Sequence, residues 1–412
     1  MTDFSSFFST NAKNMKPSAV GELLSLIQKP DIISFAGGLP SPDVFPVDDL
    51  KTAANVIFDR QAKRALQYGK TEGDNVLREE LIKYEARQGI NLEEKNLIIT
   101  SASQQGLDLA AKVFLDPGDY VIAERPSFIG AFLVFQSYSA KVLGIELGAE
   151  QDGFDMADLE KKYSEALKLG KKIKCIYVIP DFQNPAGYCW SLEKRKALLE
   201  FSYKTGLPII EDSPYREIRF MGDHIPSLYQ LDQQGADRGL VIYLKTFSKI
   251  LTPGVRLGWI LANEEIISKF AIAKLAMDTC TNVFTQCWLG EYMRMGRLGT
   301  VAEKARKLYG EKRNLMLAAL EKYMPKNPCL RWTKPEGGLF LWLSLPDSID
   351  TDKLLPRAVE KKVAFMAGSG FYYDEAEHNS MRINFSYPSP EQIDEGIKRL
   401  GNIIEEAIHK IE

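Results

Sequence analysis

The sequence predicts an α/β fold with a mostly parallel central sheet, helices on both faces, and a smaller α+β domain. Three observations point there. Short apolar runs at 97–100, 173–179 and 240–244 lack polar alternation, as strands buried on both faces do. Helix-periodic stretches lie between several of these runs, the pattern of parallel strands joined by crossover helices. After about residue 265 a long helical stretch and a new set of strands follow, so a second unit succeeds the first.

Taken in order, residues 1–34 read as irregular apart from a helical stretch at 20–28. Residues 34–42, Ser-Phe-Ala-Gly-Gly-Leu-Pro-Ser-Pro, are dense in Gly and Pro and read as a loop of fixed shape. A helix is expected at 75–88, a strand at 97–100, a helix at 104–114 and a strand at 120–123. Strands follow at 173–179, 207–211 and 240–244, with a helix at 192–204. The second unit reads as a helix at 302–323, strands at 339–345, 363–366 and 381–385, and a terminal helix at 390–409. The expected division is an N-terminal arm (1–45) packing with the small domain, a large domain (46–290) and a small domain (291–412). The boundary is expected inside a long helix near 285–300.

Composition bounds the function. The 412 residues are 45% hydrophobic and 26% charged, an ordinary globular mix long enough for a large core. A formal net charge of −3 supplies no global basic field, so no nucleic acid is expected as partner. Apolar runs fall short of the ~18 residues of a membrane span, and the polar first residues lack a signal peptide's apolar segment. The five cysteines are odd in number and form no C-x-x-C, and the three histidines are scattered. They read as structural, with no metal site. A reducing compartment, the cytoplasm, is expected.

Ligands in such sheets bind beyond the carboxyl ends of the strands. After 97–100 come Ser103 and Gln104, opening a helix whose N-terminus suits an anion. After 173–179 comes Asn184-Pro185, after 207–211 come Asp212 and Tyr215, and after 240–244 come Thr246, Ser248, Lys249 and Arg256. Alone, each has a plain structural reading: an N-cap serine, a turn, a capping aspartate, a solvated lysine. Together they are what pyridoxal 5'-phosphate requires. Hydroxyls and an Arg form a phosphate cup, a Lys meets the aldehyde, and an acid meets the pyridinium nitrogen. Tyr215 and Asn184 are candidates for the ring hydroxyl, and Phe128 for stacking on the ring.

In its motifs the chain resembles the fold-type-I pyridoxal-phosphate aminotransferases of class I/II. It most resembles the α-aminoadipate, kynurenine and aromatic amino acid branch. The landmarks run from Ser34-Phe35-Ala36-Gly37-Gly38-Leu39-Pro40 through Gln67-Tyr68-Gly69, Ser248-Lys249 and Pro335-Glu336-Gly337-Gly338 to Met381-Arg382-Ile383-Asn384-Phe385. The resemblance implies Lys249 as Schiff-base residue and general acid/base, Asp212 on the pyridine nitrogen, and Asn184 and Tyr215 on O3′. It gives the phosphate to Ser103, Gln104, Thr246, Ser248 and Arg256, with Tyr68 reaching the partner subunit's phosphate in a homodimer. Arg382 takes the substrate α-carboxylate, with Asn184 and backbone near Gly38. The expected reaction is ping-pong transfer of an amino group from an L-amino acid (aromatic, branched or 2-aminodicarboxylate-like) to a 2-oxo acid, by default 2-oxoglutarate.

Two positions depart from this branch. Phe128 stands where Tyr is frequent. Gly21 stands where several relatives carry an Arg over the active site, which shifts the expected donor toward neutral aromatic or branched side chains. A pyridoxal-phosphate C–S lyase would share the same Lys, Asp and Arg. A ligand-sensing module fused to a DNA-binding head is a rival of another class. It is disfavoured by net acidity and by the roughly 33 residues ahead of Ser34, too few for such a head.

Overall fold

The computed structural model describes residues 3–14, 31–148, 150–374 and 376–409. The 20–28 stretch and Gly21 lie outside the described residues. The strands, in chain order, are β1 (Ile33–Ser34), β2 (Leu97–Thr100), β3 (Tyr120–Glu124), β4 (Lys141–Ile145), β5 (Ile173–Val178), β6 (Ile209–Asp212) and β7 (Val241–Thr246). They continue with β8 (Gly258–Leu261), β9 (Arg331–Trp332), β10 (Phe340–Ser344), β11 (Val363–Ala364), β12 (Met366–Ala367) and β13 (Ser380–Asn384).

A seven-stranded sheet has the order β2-β8-β7-β6-β5-β3-β4. All its neighbours pair in parallel except those of β8, which runs against both β2 and β7. A four-stranded sheet, β12-β13-β10-β9, is antiparallel, and β1 pairs with β11 in parallel. β6 and β7 are buried along their whole length, which explains their unbroken apolar sequence. None of the helices among the described residues is long and apolar enough to cross a membrane.

The topology brings the carboxyl ends of β5, β6 and β7 side by side. Because β8 is antiparallel, its first residue, Gly258, faces both Thr246 and Thr100. Only glycine fits there: a Cβ would stand 2.5 Å from the Lys245 carbonyl oxygen and 2.9 Å from the Ala102 carbonyl carbon. Ala102, at φ 60°, turns the chain sharply from β2 into the helix Ala102–Phe114. That turn delivers Ser103 and Gln104 to the same sheet edge as Asp212 and Thr246.

Most expected elements are present within two to four residues, and the terminal helix runs from Pro390 to His409 as expected. Four strands went unread. β4 is a partly exposed strand at the sheet edge and contains Gly144, so it lacks the buried-strand signature. β8 is hidden inside the run that also carries Arg256. β1 and β9 are two residues each. The 363–366 strand divides into β11 and β12, which belong to different sheets. The long helix expected near 285–300 is broken: Val283–Arg294 ends, Gly296 adopts φ 70°, and Leu298–Tyr323 begins.

Candidate active site

A cavity of about 440 Å³ opens at these strand ends. Gly38, Ser103, Gln104, Phe128, Asn184, Asp212, Tyr215, Thr246, Ser248, Lys249, Arg256 and Arg382 all line it. Twelve positions spread over most of the sequence are thus brought together. The thirteenth, Tyr68, is not: it is 82% exposed and outside the cavity.

Asp212 ends β6 and is 2% exposed. Tyr177 on β5 donates to its Oδ2 at 3.0 Å, while Oδ1 is buried with no hydrogen-bond partner. Burial pushes the carboxyl up to about 7, against the pull of the Tyr177 hydrogen bond. A bare buried carboxylate oxygen at a cavity wall fits a protonated ring nitrogen. Lys249 follows β7, and its Nζ donates to the Gly38 carbonyl at 2.7 Å. Burial, with the Arg382 and Arg256 charges nearby, lowers this amine to about 8. A neutral fraction larger than that of an ordinary lysine suits attack on a carbonyl carbon.

The Thr246 and Ser248 hydroxyls are 3.0 Å apart, and Arg256 reaches the Ser248 Oγ at 3.4 Å. Arg256 holds the left-handed φ of 49° at the end of the turn Pro253–Val255, which folds it back over Ser248. With the N-terminus of Ala102–Phe114 facing them, these groups form an anion cup. Gln104 donates to the Gly130 carbonyl at 3.0 Å. Gly130 itself leaves room for Phe128, whose ring a Cβ there would meet at 2.4 Å.

Arg382 lies on β13, in the four-stranded sheet, and is 7% exposed. Its guanidinium donates to Asn184 Oδ1 at 2.7 Å and to the Ala36 carbonyl at 2.8 Å, while Nε has no partner. The Phe340 and Phe371 rings stand 4.2 and 5.0 Å away. Burial lowers its pKa to about 10, opposed by the nearby Tyr215. Burial in turn raises the Tyr215 phenol, which the Arg382 charge pulls back. Among the described residues the cavity is thus lined by three cations, Lys249, Arg256 and Arg382, and one acid, Asp212. This excess suits a ligand with two anionic ends.

Sequence reasoning missed Tyr177, Ala36, Phe340 and Phe371. Tyr177 was findable in principle. It is the one aromatic residue of β5, and it pairs with Ile210, two residues before Asp212 and on the same face. The others carry no local signal, because a backbone carbonyl and two core phenylalanines acquire meaning only where β13 places Arg382.

The comparisons agree with this geometry. The family model for aminotransferase class I and II matches residues 31–400. An aromatic-amino-acid aminotransferase 1 from Thermococcus litoralis is 42% identical, covering 99% of this chain and 96% of its own length. A 2-aminoadipate transaminase from Thermus thermophilus is 37% identical, covering 97% of each. A crystal structure of a Pyrococcus horikoshii kynurenine aminotransferase in complex with PMP superposes with a TM-score of 0.91, at 43% identity and 98% coverage of each chain. This chain belongs to the class I and II aminotransferases, enzymes of fold type I that move amino groups between amino acids and 2-oxo acids with pyridoxal 5'-phosphate.

Proposed function

We propose that the protein transfers the amino group of a neutral L-amino acid, aromatic or branched, to a 2-oxo acid such as 2-oxoglutarate. The observation that carries the site assignment is the partnerless Asp212 Oδ1 in the cavity that also holds Lys249 and Arg382. Bound pyridoxal phosphate supplies an aldehyde that condenses with amines and a protonated ring that accepts an electron pair.

The chain's own residues do the rest. Thr246, Ser248, Arg256, Ser103 and Gln104 hold the phosphate, and Phe128 packs on the ring. Asp212 keeps the ring nitrogen protonated, and Tyr177 fixes its carboxylate. Asn184 and Tyr215 hold O3′. Arg382 takes the substrate carboxylate, and Phe340 and Phe371 exclude water around that ion pair. As a free amine, Lys249 would take the proton from the substrate Cα and deliver it to C4′. A low amine pKa makes this base available near neutral pH.

Among the described lining residues, no cation remains for a side-chain carboxylate once Arg256 serves the phosphate and Arg382 the α-carboxylate. Ile129, Leu133, Met366 and Phe371 offer apolar walls instead. This supports a neutral donor, and the distal carboxylate of 2-oxoglutarate would need a partner beyond these residues. We further infer a homodimer in the cytoplasm, with Tyr68 reaching the partner's phosphate. Phe58 and Leu66, also exposed, precede Tyr68 in sequence. Residues 46–290 form the cofactor-binding domain, residues 291–412 the small domain, and residues 1–45 the arm.

A donor screen with 2-oxoglutarate, run beside Lys249→Ala, tests the reading. Glutamate is expected from aromatic or branched donors, more slowly from α-aminoadipate, and not from the variant. Faster turnover of α-aminoadipate would overturn the side-chain assignment. Pyruvate and ammonia released without an acceptor would redirect the chemistry to a lyase.

A further inference from the structure

We propose that Glu124 is a positioning residue for this transamination: its one carboxylate closes both ends of the loop that presents Asn184. The inference rests on the reading of Asn184 as a site residue. Glu124 ends β3 and is 1% exposed. It does not line the cavity, so it touches neither substrate nor cofactor.

The geometry is a clamp. Glu124 Oε2 accepts the backbone N–H of Ile179 at 3.0 Å, and Oε1 accepts the Trp190 indole N–H at 2.8 Å. Ile179 enters the loop and Trp190 leaves it, and the Trp190 amide also returns to the Pro180 carbonyl at 2.8 Å. Between them, Gln183 Nε2 donates to the Pro126 carbonyl at 2.8 Å, and its Oε1 accepts the Ala186 amide at 2.9 Å. Gln183 and Ala186 flank Asn184-Pro185, and Pro126 lies on the run from Glu124 to Phe128. Asn184 Oδ1 then accepts from Arg382 at 2.7 Å. One buried carboxylate therefore fixes the Asn184 loop against the segment that carries the stacking ring, and through Asn184 it orients Arg382.

The groups bound to this carboxylate are donors. An ionised carboxylate meets both with lone pairs, whereas a carboxamide has one acceptor oxygen and turns its N–H₂ toward the other donor. Glu124→Gln keeps the volume and loses one end of the clamp. Burial raises the Glu124 carboxyl, and the bonds from Trp190, Ile179 and Gln183 pull it back toward the ionised form. Donors at both oxygens therefore offset the cost of a buried charge, and the loop is closed by these bonds as well as by packing.

A double-mutant cycle on the holoenzyme tests this, with Glu124→Gln, Asn184→Ala and the pair, reading kcat and KM for donor and acceptor. Glu124→Gln is expected to raise both KM values about tenfold with a smaller fall in kcat. In the Asn184→Ala background it is expected to change them less than twofold. Glu124→Asp, which keeps the charge on a shorter arm, recovers part of the loss. Additive losses in the pair would overturn the role of Glu124 while leaving Asn184 in the site. Unchanged kinetics in Glu124→Gln would also overturn it. Unchanged kinetics in Asn184→Ala would remove Asn184 from the site, and the Glu124 role with it, a failure visible in that single variant. If Glu124→Gln yields no folded holoenzyme, the same cycle with Glu124→Asp decides by the same criterion.

Discussion

Arg382 is held before any substrate arrives, by Asn184, by the Ala36 carbonyl and by two aromatic rings. A flat guanidinium so placed meets a carboxylate through two parallel bonds, which an ammonium does not. Arg382→Lys is expected to raise KM for both amino and oxo acid roughly 100-fold, about 2.7 kcal/mol of lost binding. Steady-state kinetics on both substrates checks it. Asp212 makes a different prediction. Its carboxyl keeps its proton up to about 7 in the fold, against an ordinary 3.8. A raised acid favours the fold while it is protonated in both states. In the cofactor-free protein that contribution is complete below about pH 4, shrinks as pH rises, and is gone above about 7. Asp212→Asn does not ionise, so its melting temperature relative to wild type is expected to climb between pH 4.5 and pH 8. The span is of order 2–4 kcal/mol. Cofactor-free melts at the two pH values measure this, and an offset that does not vary with pH would contradict it.

At the scale of elements, the turn between β7 and β8 presents several of the proposed cofactor-binding groups. It carries Ser248, Lys249 and Arg256, and the antiparallel return of β8 sets Gly258 beside Thr246. Arg256→Gln is expected to weaken cofactor retention roughly 10- to 100-fold, through a lost charge-assisted pair of about 1.5–3 kcal/mol. The visible cofactor absorbance after gel filtration reads it, and kcat at saturating cofactor stays near wild type. Gly258→Ala acts through the backbone instead. A Cβ at 2.5 Å from the Lys245 carbonyl must pry β8 from β7 or from Ala102, at roughly 1–3 kcal/mol. A lower melting temperature together with weaker cofactor binding is the expected pair of results. This segment was also the most legible in the sequence, because Thr246, Ser248, Lys249 and Arg256 are chain neighbours with an unusual residue mix. Glu124 was not legible, and Tyr177 only as the one aromatic residue of β5. Each sits in a buried strand and gains its role only from the loop or strand packed beside it.

Across the whole molecule, the alternation of apolar runs and helices was enough to place the parallel core, since burial on both faces leaves a continuous apolar signature. The small sheet was readable as strands but not in its pairing, because nothing local says that β13 must lie between β12 and β10. Tyr68 belongs to this scale as well. Exposed in the single chain, it can serve the role proposed for it only in an assembly. Mixing Tyr68→Ala subunits with Lys249→Ala subunits is expected to restore roughly a quarter of wild-type activity, since half of statistical dimers hold one intact site. Mixtures no more active than their components would remove Tyr68 from the partner's site. The segment before Leu39 links the two sheets in another way. β1 pairs with β11, while Ala36 and Gly38 offer their carbonyls to Arg382 and Lys249. Every one of these links is a peptide group, while the side chains beside them are confined: Phe35 and Ala36 are fully buried, and the Phe340 ring lies 3.3 Å from where a Gly38 Cβ would be. A connection written in main-chain atoms feels amino-acid replacement only through packing. A side chain that fits its space leaves the two cations hooked, and one that does not must shift the carbonyls that hold them.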